Sequence, residues 1–404
     1  MLITTRLRAT GGVAVPVELK KMKPEEGALL LLRRANRQAT ASDTDRKVAR
    51  QIATELDGLP LALDQAGAFI EEMQSTPGEY LELYRAGGEA LRARRGELAA
   101  DHPSVTVTFS LSFTRVSEAN AGAADLVRAC AFLAPDAIPE EIFTGVASQW
   151  GGPLAKAASK PLAWLLAIQD ASRFGLIQRS AESRTLNIHR LVQEVVKDEM
   201  DSETRRMWAE CAVKAMDKAF PPGGFRHWPQ CERLIEHARV SARLAEKLQL
   251  SSGAAARLLN GSGLYLTERA QYAEAEPLFL GALTIHEKAA GPEHLDTSRS
   301  LNNLAALYRA QGRYGEAEPL YRHALAIRKR LLGPDHPDVA IILNNLGTFI
   351  LKSCRNRAGN MELLGVAEGQ LRDEEDLLEV ETRCDHLLAE GGEIVLVSAA
   401  DFLE

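Results

Sequence analysis

Side chains that could do chemistry are sparse in this 404-residue chain, and their spacing points to recognition more than to catalysis. Asn302 and Asn303 recur as the pair Asn344 and Asn345, and Asn260 precedes Asn302 by the same interval. A carboxamide offers both a donor and an acceptor, so a row of them matches the backbone of an extended peptide without reading its sequence. Arg309, two helical turns after Asn302, falls on nearly the same helical face and adds a charge-assisted contact for an acidic partner. The second amides of each pair, Asn303 and Asn345, could equally tie adjacent repeats together, because buried amides usually have partners.

Phosphate chemistry lacks its parts. No segment reads Gly-x-x-x-x-Gly-Lys-Ser/Thr. The nearest, Gly347 to Ser353, has Leu351 before Lys352, and the strand-like run Ile394–Val397 is followed by Ser398 where a metal-binding acid would be needed. Cys130, Cys211, Cys231, Cys354 and Cys384 are odd in number, with no pair at the spacing of a zinc or redox site, and read as reduced core thiols. The sequence therefore predicts no catalytic residues, no metal and no enzyme.

The elements that must position the amides are repeats. A single constant shift places Leu259 on Leu301 and Leu343, Tyr272 to Leu278 on Tyr314 to Leu320, and Gly291, Pro292 and His294 on Gly333, Pro334 and His336. Within one unit, Leu301, Leu304, Ala305 and Tyr308 share a helical face, Gly312 and Arg313 break the helix, and Ala317, Leu320, Tyr321 and Ala324 line a second face. Small residues let the two helices approach, and the tyrosines fill the gap to the next hairpin. The pattern resembles the tetratricopeptide repeat, and its long period and Gly-Pro-Asp-His-Pro link, Gly333 to Pro337, are similar to the kinesin-light-chain variety. Two units are complete and a third opens at Leu343. Cys231, Leu234, His237 and Ala238 suggest a degenerate hairpin upstream.

Composition bounds the rest. Forty-eight basic residues against 55 acidic give a net charge of -7, without the excess that binding to nucleic acid phosphates needs. With 46% hydrophobic and only 5% aromatic residues, Ala and Leu must supply the core, which favours helix. No apolar run approaches the roughly 20 residues of a membrane span, and the first residues lack the pattern of a secretory signal. A cytoplasmic protein without a membrane partner is expected.

The first half reads differently. Leu2-Ile3-Thr4-Thr5-Arg6 is a short strand and Val13 to Val17 a second; Pro24-Glu25-Glu26 opens a helix that buries Leu29 to Leu32. Another helix, from about Asp43 to Leu56, breaks at Gly58-Leu59-Pro60 and resumes through Ala62, Gln65 and Ile70. Leu176 to Arg179 and Leu186 to His189 make a hairpin behind a helix at Pro161 to Ser172. Leu-Ile-Thr-Thr-Arg, Gly58-Leu59-Pro60-Leu61-Ala62-Leu63, Ile138-Pro139-Glu140-Glu141 and Leu186 to Val192 stand in an order that resembles the second half of an NB-ARC module, the nucleotide switch of STAND-type signalling ATPases. The resemblance covers about residues 1 to 200. It implies that Arg6 senses the γ-phosphate, that Pro60 packs on adenine and that His189 meets the β-phosphate of ADP. Arg190 stands where that family usually has Asp. In that family the phosphate loop precedes the Thr-Thr-Arg strand, so the resemblance implies a member truncated at its N-terminus, with ADP or ATP the cofactor of full-length relatives and none in this chain.

The expected fold is mainly α: a helical ARC region and a winged-helix subdomain followed by a tetratricopeptide α-solenoid. Its parts are a remnant of a nucleotide-binding domain at 1–20, the helical ARC subdomain at 21–102, the winged helix at 103–200, a connector or degenerate repeat at 201–250, the repeats at 251–354 and an acidic tail at 355–404. The expected function is non-enzymatic signal transduction through a protein or peptide bound on the concave face of the repeats. The alternatives are a STAND ATPase half-site completed by another chain and a fragment of a transcription regulator.

Overall fold

The computed structural model describes residues 21–95, 103–248, 250 and 253–358. In chain order its elements are α1 (Pro24–Arg34), α2 (Asp43–Glu55), α3 (Pro60–Glu72), α4 (Pro77–Arg95), α5 (Pro103–Ala119), α6 (Ala121–Cys130), β1 (Ile138–Pro139), α7 (Glu141–Thr144), α8 (Gly152–Ala158), α9 (Pro161–Arg173), β2 (Gln178–Ser180), β3 (Thr185–Asn187) and α10 (Arg190–Asp198). There follow α11 (Ser202–Ala219), α12 (Trp228–Lys247), α13 (Gly253–Glu268), α14 (Tyr272–Ala290), α15 (Leu295–Ala310), α16 (Tyr314–Leu332) and α17 (Pro337–Ala358). The fold is mainly α. Among the described residues no helix is long and apolar enough to cross a membrane. The strand-like segments around Arg6 and Val13, the acidic tail and the run Ile394–Val397 lie outside the described residues.

The chain divides into two compact units. The first runs to Ala131 and takes in Pro135–Glu140 and Gly151–Asp201; the second holds Phe132–Ala134, Glu141–Trp150 and the chain from Ser202 onward.

In the first unit, side chains set where the helices start. Ser42 and Asp45 close a reciprocal box before α2: the Asp45 N–H donates to Ser42 Oγ at 3.1 Å and the Ser42 N–H to Asp45 Oδ2 at 3.0 Å. Thr76 and Glu79 repeat the device before α4, at 3.2 and 2.7 Å, so four otherwise orphaned donors are satisfied. Pro24 and Pro60 occupy first turns, where the missing N–H costs nothing. Gly58, before α3, has φ of 60°, and a Cβ there would overlap the Met22 carbonyl oxygen, so only glycine fits. Leu31, Ile52, Leu63, Phe69, Tyr80 and Phe109 are buried, with the Tyr80 hydroxyl 3.1 Å from Thr108 Oγ1. Leu29, expected inside, is 51% exposed. The buried stripe of α1 runs through Gly27, Ala28, Leu31 and Leu32, and Leu29 sits one step of about 100° off it.

A small antiparallel sheet, ordered β1-β3-β2, lies in the same unit, with Leu186 of β3 opposite both Ile138 and Arg179. The paired strands are shorter than the hairpin expected from sequence, and His189 is outside β3 because the chain turns into α10 there.

In the second unit the helix boundaries follow the sequence period: α15 and α16 begin and end one period after α13 and α14, and α17 begins one period after α15. Gly291 and Gly333 close α14 and α16 with φ of 95° and 88°. The imidazole Nδ1 of His294 then accepts the Asp296 N–H at 3.2 Å and that of His336 the Asp338 N–H at 3.1 Å, so each link carries its own helix cap. Ala275 and Ala282, with their counterparts Ala317 and Ala324, are fully buried beside Phe279 and Tyr321. Upstream, α11 and α12 pair and pack on α13.

Candidate functional site

The first helices of successive hairpins touch one another, α13 with α15 and α15 with α17. That contact brings Asn260, Asn302 and Asn344, one period apart, onto adjoining helices. The amides are linked in a staggered ladder. Asn303 Nδ2 donates to Asn260 Oδ1 at 3.2 Å, and Asn345 Nδ2 donates to Asn302 Oδ1 at 3.1 Å. The second amide of each repeat thus holds the first amide of the repeat before it.

Asn260 is only 4% exposed and also donates to Ser300 Oγ at 3.0 Å. Ser300 Oγ lies 2.9 Å from Nδ1 of buried His286, whose pKa burial pushes below the usual histidine range. Burial therefore favours the neutral ring, and a polar network of four side chains stitches α13, α14 and α15 together. Asn260, the expected opening of the binding row, is buried here, its amide donating to Ser300 and its oxygen accepting from Asn303. In the next repeat Arg328 replaces His286. Its Nε donates to Ser298 Oγ at 3.0 Å and one terminal nitrogen to the Asp338 carbonyl at 3.1 Å.

Asn302, Asn303, Asn344 and Asn345 are half-buried, as is Arg309. Asn302 keeps its amide donor group, and Asn344 makes no hydrogen bond among the described residues. Arg309 likewise has no carboxylate partner there, whereas Arg257 and Arg299, elsewhere on the first helices, pair with Asp217 and Asp296 at 2.7 Å each. Asn302, Asn344 and Arg309 are therefore the groups this face leaves available.

The other expected site residues lie in the first unit or outside the described part. Arg6 is outside it. Pro60 is exposed at the first turn of α3. His189 is exposed and caps α10, its Nδ1 accepting the Leu191 N–H at 3.2 Å, which leaves only Nε2 for any other partner. Desolvation and then the Arg190 charge hold its pKa below the usual value.

Two polar clusters carry no prior role in the sequence reading. Glu140, 2% exposed, accepts from Arg179 Nε at 2.7 Å and Trp164 Nε1 at 3.0 Å. Burial pushes its carboxyl up, but these bonds and the Arg179 charge outweigh it and hold the group below the usual range. In the repeats, Glu276 accepts from the Tyr308 hydroxyl at 3.1 Å and from Arg313 at 2.9 Å, with the guanidinium 4.0 Å from the Tyr308 ring centre. The recurrence of Glu276 as Glu318 was visible, but its partners occur only in the following repeat. A hollow of about 590 Å3 opens beside this clasp, lined by Ala270, Gln271, Tyr272, Glu274, Glu276 and Gln311.

Comparison with known proteins agrees with the repeat geometry. Residues 254–330 and 301–348 match the tetratricopeptide repeat family, and residues 114–205 match a domain of unknown function, DUF7779. The chain is 28% identical over 267 residues to a nucleotide-binding leucine-rich repeat (NLR)-like protein of Hyaloscypha variabilis, a match covering 63% of this chain and 26% of that protein. The chain thus spans about a quarter of the length of this curated relative. Among solved structures, BtubC (BKLC) from P. vanneervenii aligns with a TM-score of 0.32 at 15% identity, over 66% of this chain and 95% of that one. Residues 254–348 thus carry tetratricopeptide repeats, and part of the chain is similar to an NLR-like protein.

Proposed function

We propose that this chain is a non-enzymatic signal-transduction protein that captures an extended segment of a protein partner on the inner face of its repeats. The observation that carries this reading is the set of half-buried polar groups left open there among the described residues: the Asn302 amide donor, the Asn344 carboxamide and Arg309, which has no carboxylate partner. Amides spaced one per repeat suit a peptide backbone, and Arg309 favours an acidic side chain beside it. The similarity to an NLR-like protein supports a signalling role. In this reading residues 1–200 are the second half of an NB-ARC switch, with β2 and β3 the wing of a winged helix behind α9, and the protein acts in the cytoplasm.

The test is selection of peptides from a random twelve-residue display library on the parent chain, followed by calorimetry with Asn344→Ala and Arg309→Gln. At least tenfold weaker binding by these variants, with unchanged melting, supports the groove. Peptides that bind both variants as well as the parent would place recognition elsewhere.

One observation favours a second reading, a nucleotide half-site: Pro60 and His189 both face solvent. ADP then raises the melting temperature of the parent chain and not that of His189→Ala.

A further inference from the structure

Phe225 is 78% exposed, more than any other large apolar side chain among the described residues. It sits in the loop between α11 and α12, where Pro221-Pro222-Gly223-Gly224 precedes Phe225-Arg226-His227-Trp228. The loop is anchored. Gly224 has φ of 115°, which favours glycine, and a Cβ on Gly223 would lie 3.1 Å from Glu268 Oε1. Glu268 Oε2 accepts the Gly224 N–H at 3.1 Å and the Trp228 indole N–H at 2.7 Å, so one carboxylate grips the loop on both sides of Phe225. That carboxylate ends α13, where a negative charge opposes the helix dipole, so its placement there serves the loop and not the helix.

The ring of Phe225 lies 5.0 Å from that of half-buried Trp228, and the Arg269 guanidinium lies 5.0 Å from the Trp228 ring centre. Arg226 is exposed, and neither Arg226 nor Arg269 has a carboxylate partner among the described residues. This aromatic pair, with Arg269 over Trp228 and Arg226 next to Phe225 in sequence, is a pre-organised anchor, since the Glu268 bonds meet part of its ordering cost before any partner arrives.

We propose that the Phe225–Trp228 loop is a second docking surface, distinct from the inner face of the repeats, for a protein segment that sets an aromatic or proline side chain beside an acidic one. Phe225 and Trp228 receive the flat apolar group, and Arg226 and Arg269 receive the carboxylate. A protein segment suits the patch better than a membrane, because a single exposed aromatic gives shallow insertion and the chain's net charge of -7 repels anionic lipid.

The experiment uses the full chain, a random twelve-residue peptide display library, and vesicles of phosphatidylcholine with phosphatidylserine at about 4:1. Parent, Phe225→Ala and Arg226→Gln serve as baits, and Asn344→Ala controls for the inner face. The expected result is a class of peptides, rich in Asp or Glu next to Trp, Phe or Pro, that Asn344→Ala retains and Phe225→Ala loses. Arg226→Gln should bind that class at least tenfold more weakly, and Trp228 fluorescence should change on binding. Should Phe225→Ala fold poorly by its melting curve, Arg226→Gln carries the comparison alone. The proposal is overturned if no peptide class depends on Phe225 or Arg226, if the dependent class lacks acidic residues, or if vesicles bind the parent and not Phe225→Ala.

Discussion

Asn303 donates its amide to Asn260 across 43 residues of sequence, and Asn345 makes the same bond to Asn302 one repeat later. The link runs only between neighbouring repeats, so it holds them in register. Asn260 is the more constrained partner, because it is buried and bonded on both sides. Asn260→Ala should cost about 2 to 4 kcal/mol, combining a lost core side chain with unpaired groups on Ser300 and Asn303, whereas Asn303→Ala should cost about 1 kcal/mol. Urea unfolding of both single variants and the double variant measures the coupling, expected near 1 kcal/mol. Additive effects would mean that the bond carries no energy of its own.

The same bond alters the best probe of peptide binding. Asn302→Ala removes the acceptor of Asn345 and should lower stability by about 0.5 to 1.5 kcal/mol, while Asn344→Ala, with no hydrogen bond among the described residues, should leave it almost unchanged. Melting curves of the two variants check this contrast.

Much of the fold was legible because it rests on repetition. The periodic identity from Leu259 to His336 specified the helices, the breaks and the links, and the structure repeats them at the same offsets. The reading of residues as pairs was less complete. Nothing local in the sequence tells that Asn260 turns inward while Asn302 is half-buried; the difference comes from His286 and Ser300, which the next repeat replaces with Arg328 and Ile342. The role of His189 as a helix cap was hidden for a related reason. The sequence places it at the end of a strand, but its Nδ1 takes the N–H two residues on, as in His294 and His336, so a capping histidine marks three helix starts among the described residues.

Acid should loosen the structure through His189 and His286. Both folded-state pKa values lie below the ordinary value of 6.5, so between the folded and unfolded values the unfolded chain binds more protons. Stability from these groups is complete above about pH 6.5 and is lost as pH falls through the folded values. Protonation also removes the Nδ1 acceptor that caps α10. The melting temperature should fall between pH 7.5 and 5.5, and His286→Gln should flatten that slope while lowering stability at neutral pH. An unchanged slope would show that His286 does not titrate with unfolding.

The first and second hairpins turn in the same way with different residues at the critical place. Gly312 follows α15 with φ of 76°, and its counterpart in the preceding repeat is Ala270, at φ of 57°. Each turn carries the same pair of closing bonds: Ala270 N–H to the Thr267 carbonyl and Gln271 N–H to that of Leu266, matched by Gly312 to Arg309 and Arg313 to Tyr308. A left-handed conformation crowds a Cβ against the carbonyl and costs about 1 kcal/mol, which glycine avoids. Glycine also has more freedom to lose from the unfolded chain, which offsets part of that gain. Ala270→Gly should therefore stabilise the second unit by about 0.5 kcal/mol, and Gly312→Ala should destabilise it by about 1 kcal/mol. Chemical denaturation of both variants tests the pair together: the opposite signs follow from one backbone conformation, and a loss of stability in both would mean that the methyl of Ala270 makes packing contacts worth more than its strain.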